Sequence, residues 1–197
     1  MKEYVYCSGP LFSPEERDTM KAIADILEEA GYGTFLPQRD GVEAHVMKMV
    51  NSPLNMNIFN IRKQIDKAIF SLDIYQLVER CDYIVFNMNG RVPDEGGLVE
   101  AAVAWSTGIP LLIYKNDDRT AFKGKDNSMI TGLVAGTLVN DISEIPSELE
   151  KLKKNGGGKE ENSRQTEHLP HNVRDALDYG RKVYKILEKL HRGTGEE

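Results

Sequence analysis

The sequence has little of what marks secreted, metal-binding or membrane proteins. Its 197 residues hold only two cysteines, too few for a disulfide framework. Cys7 and Cys81 both lie in or beside apolar, strand-like runs, as reduced core thiols of a cytoplasmic protein do. The four histidines (His45, His168, His171, His191) show no ligand spacing with cysteines or carboxylates, so no metal is expected. No apolar run approaches the roughly 20 residues of a membrane span. The opening MKEYVYCSGP lacks the apolar core of a signal peptide. Positive charge is not in excess: 25 Lys and Arg against 31 Asp and Glu give a net charge of -6, which argues against a nucleic-acid partner. There is no internal repeat and no G-x-x-x-x-G-K phosphate loop. What remains, 40% hydrophobic and 28% charged residues, is a globular chain long enough to bury one full core and carry an appendage.

One stretch organises the rest. Residues 82–87 are an apolar run with β-branched and aromatic side chains, a buried strand. Residues 87–97 carry Asn, Gly, Pro and Asp, a loop. Residues 98–105 are apolar almost all round and predict a helix; after Gly108, residues 109–114 predict a second buried strand. This is a βαβ unit with parallel strands. Upstream, residues 3–7 predict the first strand, broken by Ser8-Gly9-Pro10. Ser13 as N-cap and Pro14 at the first position open a helix with an apolar stripe at Met20, Ile23, Ala24, Ile26, Leu27 and Ala30, stopped by Gly31. Residues 34–36 start a second strand, ended by Pro37. Residues 38–57 have no clean period and read as a loop with a helical turn near 46–49, long enough for a lid or binding loop. Residues 58–80 are helical, but the apolar phase shifts at Asp73, where Asp73 and Gln76 resemble a capping box and predict a kink or restart. Then come a polar loop at 116–132, a short fifth strand at 136–139, a helix at 143–154 capped by Ser143, a glycine-rich linker around 156–158 and an amphipathic helix at 172–190.

Alternating strands and helices predict an α/β protein with a flavodoxin-like, doubly wound sheet of five mostly parallel strands. In the order 2-1-3-4-5, ligands bind beyond the carboxyl ends of strands one and three. That topology gathers Ser8, Gly9, Asp94, Gly96, Gly97 and Glu100 around one crevice. Glu100 is a lone carboxylate among Leu98, Val99, Ala101, Ala102, Val103, Ala104 and Trp105, costly to bury unless it is paired or put to work. In the first turn of its helix the free N–H groups keep it ionised, which suits a nucleophile or base and equally a structural acid balancing the helix end. Asp94 reads as a turn or cap residue, and Gly96-Gly97 permits close backbone approach to a ligand. Asp73 reads as a cap or a functional acid. Tyr6 reads either as a plain core ring or, from its place at the strand end, as a hydroxyl within reach of the crevice, and Arg39-Asp40 reads as a turn. Asn127 and Met129 draw no claim from local pattern.

Together these residues resemble a known family. Tyr6, Ser8-Gly9-Pro10-Leu11-Phe12, Asp73-Ile74, Cys81-Asp82 with its apolar strand, and Asp94-Glu95-Gly96-Gly97-Leu98-Val99-Glu100 are similar to the nucleoside 2-deoxyribosyltransferases, over about residues 3–140. Asn127-Ser128-Met129 resembles that family's N-x-M loop, which reaches into a neighbouring subunit's site. The resemblance implies exchange of the base of a 2'-deoxyribonucleoside through a covalent deoxyribosyl-glutamate, with retained configuration and no cofactor. Glu100 would be the nucleophile, Asp73 the acid beside the base, and Tyr6 the residue orienting Glu100. Asp94 and Asn127 would hold the sugar hydroxyl, with Met129, Ser8, Gly9 and Gly97 also lining the substrate site and Arg39 and Asp40 near the base.

Relatives that hydrolyse nucleoside 5'-monophosphates carry serine where this chain has Asp94. An aspartate repels a phosphate dianion and accepts from a 5'-hydroxyl, which favours nucleosides; Lys115, Arg119, Lys123 and Lys125 would offset this if folded over the site. The expected partners are deoxynucleosides, free nucleobases and further copies of the chain sharing the Asn127 loop, with no nucleic acid and no membrane. The expected layout is a transferase-like unit at 1–154, a linker at 155–170 and a helical tail at 171–197. Two alternatives stand beside this reading: an N-glycoside hydrolase of deoxynucleosides or their 5'-monophosphates, and a non-catalytic module binding nucleotide-derived ligands.

Overall fold

The structure, a computed structural model, describes residues 2–42, 44, 58–90, 92–120, 124–155 and 166–193. The helical turn expected near 46–49, the linker at 156–158 and Lys123 lie outside the described residues. Four strands, β1 (Tyr4–Ser8), β2 (Gly33–Phe35), β3 (Tyr83–Asn87) and β4 (Leu111–Tyr114), form one all-parallel sheet in the order β2-β1-β3-β4. The helices are α1 (Pro14–Glu29), α2 (Pro37–Asp40), α3 (Ile58–Tyr75), α4 (Glu95–Ser106), α5 (Ser128–Thr131), α6 (Ile145–Lys154) and α7 (His171–Gly193).

Strand periodicity divides the core into two layers. Val5, Cys7, Tyr83, Val85, Leu112 and Tyr114 face one way and pack on Met20, Ile23 and Leu27 of α1 and Ile145 and Leu149 of α6. Tyr6, Ile84, Phe86, Leu111 and Ile113 face the other way, onto Leu72 and Tyr75 of α3, Ala101 and Ala104 of α4, and Leu177 and Leu187 of α7. Helix α1 starts as its sequence dictates: the Ser13 hydroxyl accepts from the Glu16 N–H, and the Glu16 carboxylate accepts from the Ser13 N–H. Both cysteines are buried thiols outside any disulfide.

Several expectations are corrected. The fifth strand is a single bridge, Tyr114 to Val139, made by the Val139 N–H on Ile113 O and the Lys115 N–H on Val139 O. Gly136, with φ of +84°, turns the chain just before it can extend. The helix of the central unit begins at Glu95, three residues before the apolar run, because Asp94 caps it. Residues 38–40 belong to the short helix α2 rather than to a loop. No helix restarts at Asp73: α3 runs on to Tyr75 and passes into a π-helical turn, Gln76–Arg80. The extra residue of that turn absorbs the shift in apolar phase, so Leu72, Ile74, Leu77 and Val78 are all buried. Asp141, not Ser143, caps the next segment; its carboxylate accepts from the Ser143 N–H ahead of a 3-10 turn, Ile142–Glu144.

Candidate active site

Residues two apart on a strand share a face. Tyr6 and Ser8 of β1 both face α4, and their hydroxyls converge on one side chain. Tyr6 donates to Oε1 of Glu100 at 2.7 Å, and Ser8 donates to Oε2 at 2.5 Å. Both donors are fully buried, while Glu100 is half-buried. The carboxylate plane is therefore fixed from the sheet side.

Helix α4 reaches this position because its sheet-facing stripe is small. Gly97, Ala101 and Ala104 are buried at helical spacing. At Gly97 even a methyl group would fall 2.5 Å from the Phe86 ring and 3.1 Å from Ser8 Oγ. The glycine lets the helix lie directly on β1 and β3, which brings Glu100, one turn on, within reach of two hydroxyls. Starting at Glu95, the helix carries Glu100 in its second turn, not its first. Its charge is satisfied by Tyr6 and Ser8 rather than by the free N–H groups of the helix end.

The Tyr6 ring stacks against Phe35 at 5.3 Å. Burial, the nearby charge of Asp73 and the charge of Glu100 all push the Tyr6 hydroxyl well above its usual range. It stays a donor at any working pH. Asp73, in the last turn of α3, is close enough for its charge to be felt at that hydroxyl. Asp94 stands at the head of α4 with its carboxylate accepting from the Gly97 N–H at 2.6 Å. Gly9 closes β1 against β3: a Cβ there would meet Met20 Sδ at 2.7 Å and Asn87 Cβ at 2.8 Å. Tyr6, Ser8, Gly97, Glu100 and Asp73 thus come together, with Gly9 and Asp94 at the adjoining ends of β1 and α4.

The remaining candidates have local partners. Arg39 bonds Glu28, Thr34 and Asp40, and Asp40 also accepts from the Leu36 N–H at 2.9 Å. Beside them, Gln38 keeps its Oε1 buried without a hydrogen-bond partner among the described residues. Asn127 caps α5 by accepting from the Met129 N–H at 3.0 Å, and Met129 is 81% exposed. Lys115 is buried, donating to Arg119 O at 2.7 Å and to Asp126. Arg119 pairs with Asp117. No group of three or more His, Cys, Asp or Glu side chains suited to a metal occurs among the described residues, and no described helix is long and apolar enough to cross a membrane. The role of Ser8 against Glu100 was missed in the sequence; the signal was its two-residue offset from Tyr6.

Fold and cluster define a class: an α/β protein with an oriented carboxylate at the carboxyl ends of a parallel sheet. The family model described as nucleoside 2-deoxyribosyltransferase matches residues 5–163, and the chain belongs to that family. Among solved structures, the chain is similar to a 2-deoxyribosyltransferase from Bacillus psychrosaccharolyticus, at 15% identity and a TM-score of 0.50, over 73% of this chain and 90% of that one. It is also similar to a conserved protein from Enterococcus faecalis V583, at 19% identity and a TM-score of 0.49, over 77% and 99% of the two chains. A 2-desoxiribosyltransferase from Leishmania mexicana matches at 16% identity and a TM-score of 0.43, over 77% and 97%. At such identities the Bacillus likeness is one of fold. No curated protein matches the chain.

Proposed function

We propose that this protein transfers 2-deoxyribose between nucleobases, with Glu100 as nucleophile. The observation that carries the reading is the pair of buried hydroxyls, Tyr6 and Ser8, on the two oxygens of one carboxylate. A carboxylate held this way has a fixed orientation, which is what attack on an anomeric carbon requires.

A Glu100 oxygen bonds to C1' of the deoxyribose as the N-glycosidic bond breaks. The bonding pair leaves with the base nitrogen, which takes a proton from Asp73. The missing 2'-hydroxyl removes an electron-withdrawing group and eases the oxocarbenium-like transition state. An incoming base then attacks C1', returns a proton to Asp73 and releases Glu100. Two inversions give retention, the logic of retaining glycosidases with a base as acceptor. No step calls for a cofactor.

Asp94 and an Asn127 from another copy of the chain hold the sugar hydroxyl, Met129 follows Asn127 across that interface, and Gly9 and Gly97 let backbone approach the substrate. Arg39 and Asp40 belong to the base end. The assembly is a homo-oligomer for that reason. The transferase unit comprises residues 1–154, joined through 155–170 to the helical tail. Asp94 favours nucleosides over their monophosphates, and Lys115 and Arg119, each engaged by a carboxylate, do little to offset its charge.

The test is base exchange: the protein is mixed with a deoxynucleoside and a different free base. A new deoxynucleoside is the expected product. Free deoxyribose with no new nucleoside would replace this reading with the hydrolase one.

A further inference from the structure

Helix α7 lies beyond the family match, which ends at residue 163. It packs along α3 and the π turn, the segment that carries Asp73. At Gly180 the two backbones meet: a Cβ there would run into the Ser71 carbonyl oxygen and lie 2.6 Å from Tyr75 Cβ. A glycine in a helix interior is less favourable than alanine, so its place here fits the need for close approach rather than helix stability. Ser71 and Tyr75 flank Asp73 at two residues on either side, and both are buried.

Around that point α7 grips the π turn as well. Arg181 bonds Glu79 of the turn and Asp178 of its own helix, with its guanidinium 5.9 Å from the Tyr75 ring. Tyr184 stacks on Tyr75 at 5.6 Å, and Arg80 lies 5.2 Å from the Tyr184 ring. A π turn has one residue more than the α-helix and poorer hydrogen-bond geometry. Here it is held from outside at Tyr75, Glu79 and Arg80.

We propose that α7 is an intramolecular brace that sets the position of Asp73, with Gly180 as its positioning residue. The helix grips α3 at Ser71 and Tyr75; Asp73, two residues from each, stands on nearly the opposite side of α3, and its charge is felt at the Tyr6 hydroxyl. Shifting α3 at Ser71 and Tyr75 therefore moves Asp73 relative to the Tyr6–Glu100 pair, which is anchored separately on β1 and α4. This rests on the transfer reading, in which Asp73 protonates the departing base.

The experiment compares Gly180→Ala with the wild type on deoxynucleosides of one ring type whose free bases span a range of acidity. A displaced acid hurts bases that need protonation most. The expected result is a kcat loss of about 10- to 100-fold for the least acidic bases, a small loss for the most acidic, and KM within about threefold throughout. Rate in the variant then depends more steeply on base acidity. An equal loss for every base, or no loss, would overturn the brace. If Gly180→Ala does not fold, Arg181→Gln, which releases Glu79, reads the same trend at smaller amplitude. Hydrogen exchange adds an independent readout: in either variant the Gln76–Arg80 amides exchange faster, while β1 amides do not. Should the wild type turn over no deoxynucleoside, the transfer reading fails alone, and unchanged exchange at 76–80 still refutes the brace.

Discussion

Tyr6→Phe removes one oxygen and leaves the ring on Phe35. What is lost is the 2.7 Å hydrogen bond to Glu100 Oε1, while Ser8 still holds Oε2. A hydrogen bond to a charged group contributes about 1.5–3 kcal/mol. Losing a donor to the ionised form disfavours that form, so the Glu100 carboxyl becomes harder to ionise. Two effects on rate then oppose each other. The more basic carboxylate is intrinsically more nucleophilic, but the gain is less than proportional to the pKa change. The carboxylate also gains freedom to rotate, and misplacement of a reacting group by about 1 Å costs up to about 100-fold. Orientation wins, for a net fall in kcat of about 10-fold with KM nearly constant. The assay is base exchange followed from acid to neutral pH. In the variant the acidic limb of kcat/KM moves to higher pH, because Glu100 must be ionised to attack. Ser8→Ala behaves similarly, and the double variant loses more than the product of the two single losses, since only then is the carboxylate unpinned. An acidic limb that stays in place in Tyr6→Phe, with kcat unchanged, would refute the reasoning.

Gly97→Ala tests the close approach of α4. The added methyl meets the Phe86 ring at 2.5 Å and Ser8 Oγ at 3.1 Å, so the expected cost is about 1–3 kcal/mol of overpacking, read as a lower Tm together with reduced turnover as Glu100 lifts off its donors. Asp126→Ala leaves the buried Lys115 ammonium with the Arg119 carbonyl as its one hydrogen-bond partner among the described residues, and urea unfolding should show a loss of about 3–5 kcal/mol near neutral pH. A deficit below about 1 kcal/mol, the range of an exposed ion pair, would contradict this.

Much of the architecture was legible because its signals are local. Ser13, Pro14 and Glu16 specify the start of α1, and the apolar runs at β1, β3 and β4 specify buried parallel strands. Misreadings arose where a tertiary contact outweighs the local pattern. At residues 136–139 a β-like composition was expected to extend, yet the Gly136 turn leaves one bridge at Val139. At Asp73 the phase shift was visible, but a π turn and a capped restart produce the same shift in apolar spacing, and only packing against β1 and α7 distinguishes them. The grouping of Ser8, Gly97 and Glu100 followed from topology, and Tyr6 joined them from its place at the end of the first strand. Which hydroxyl meets which oxygen did not, because it depends on how closely Gly97 lets α4 approach. Nothing in the spacing pointed to Gly180 against Ser71, a contact between two helices joined by a long stretch of chain.

The central claim, that Glu100 is the nucleophile, is tested most directly by trapping the intermediate. The protein is mixed with a deoxynucleoside in the absence of acceptor base, quenched in acid, digested and analysed by mass spectrometry. The account predicts a deoxyribosyl adduct on the peptide containing Glu100, absent in Glu100→Ala although that variant folds. An adduct on another peptide, or full base exchange by Glu100→Ala, would contradict it.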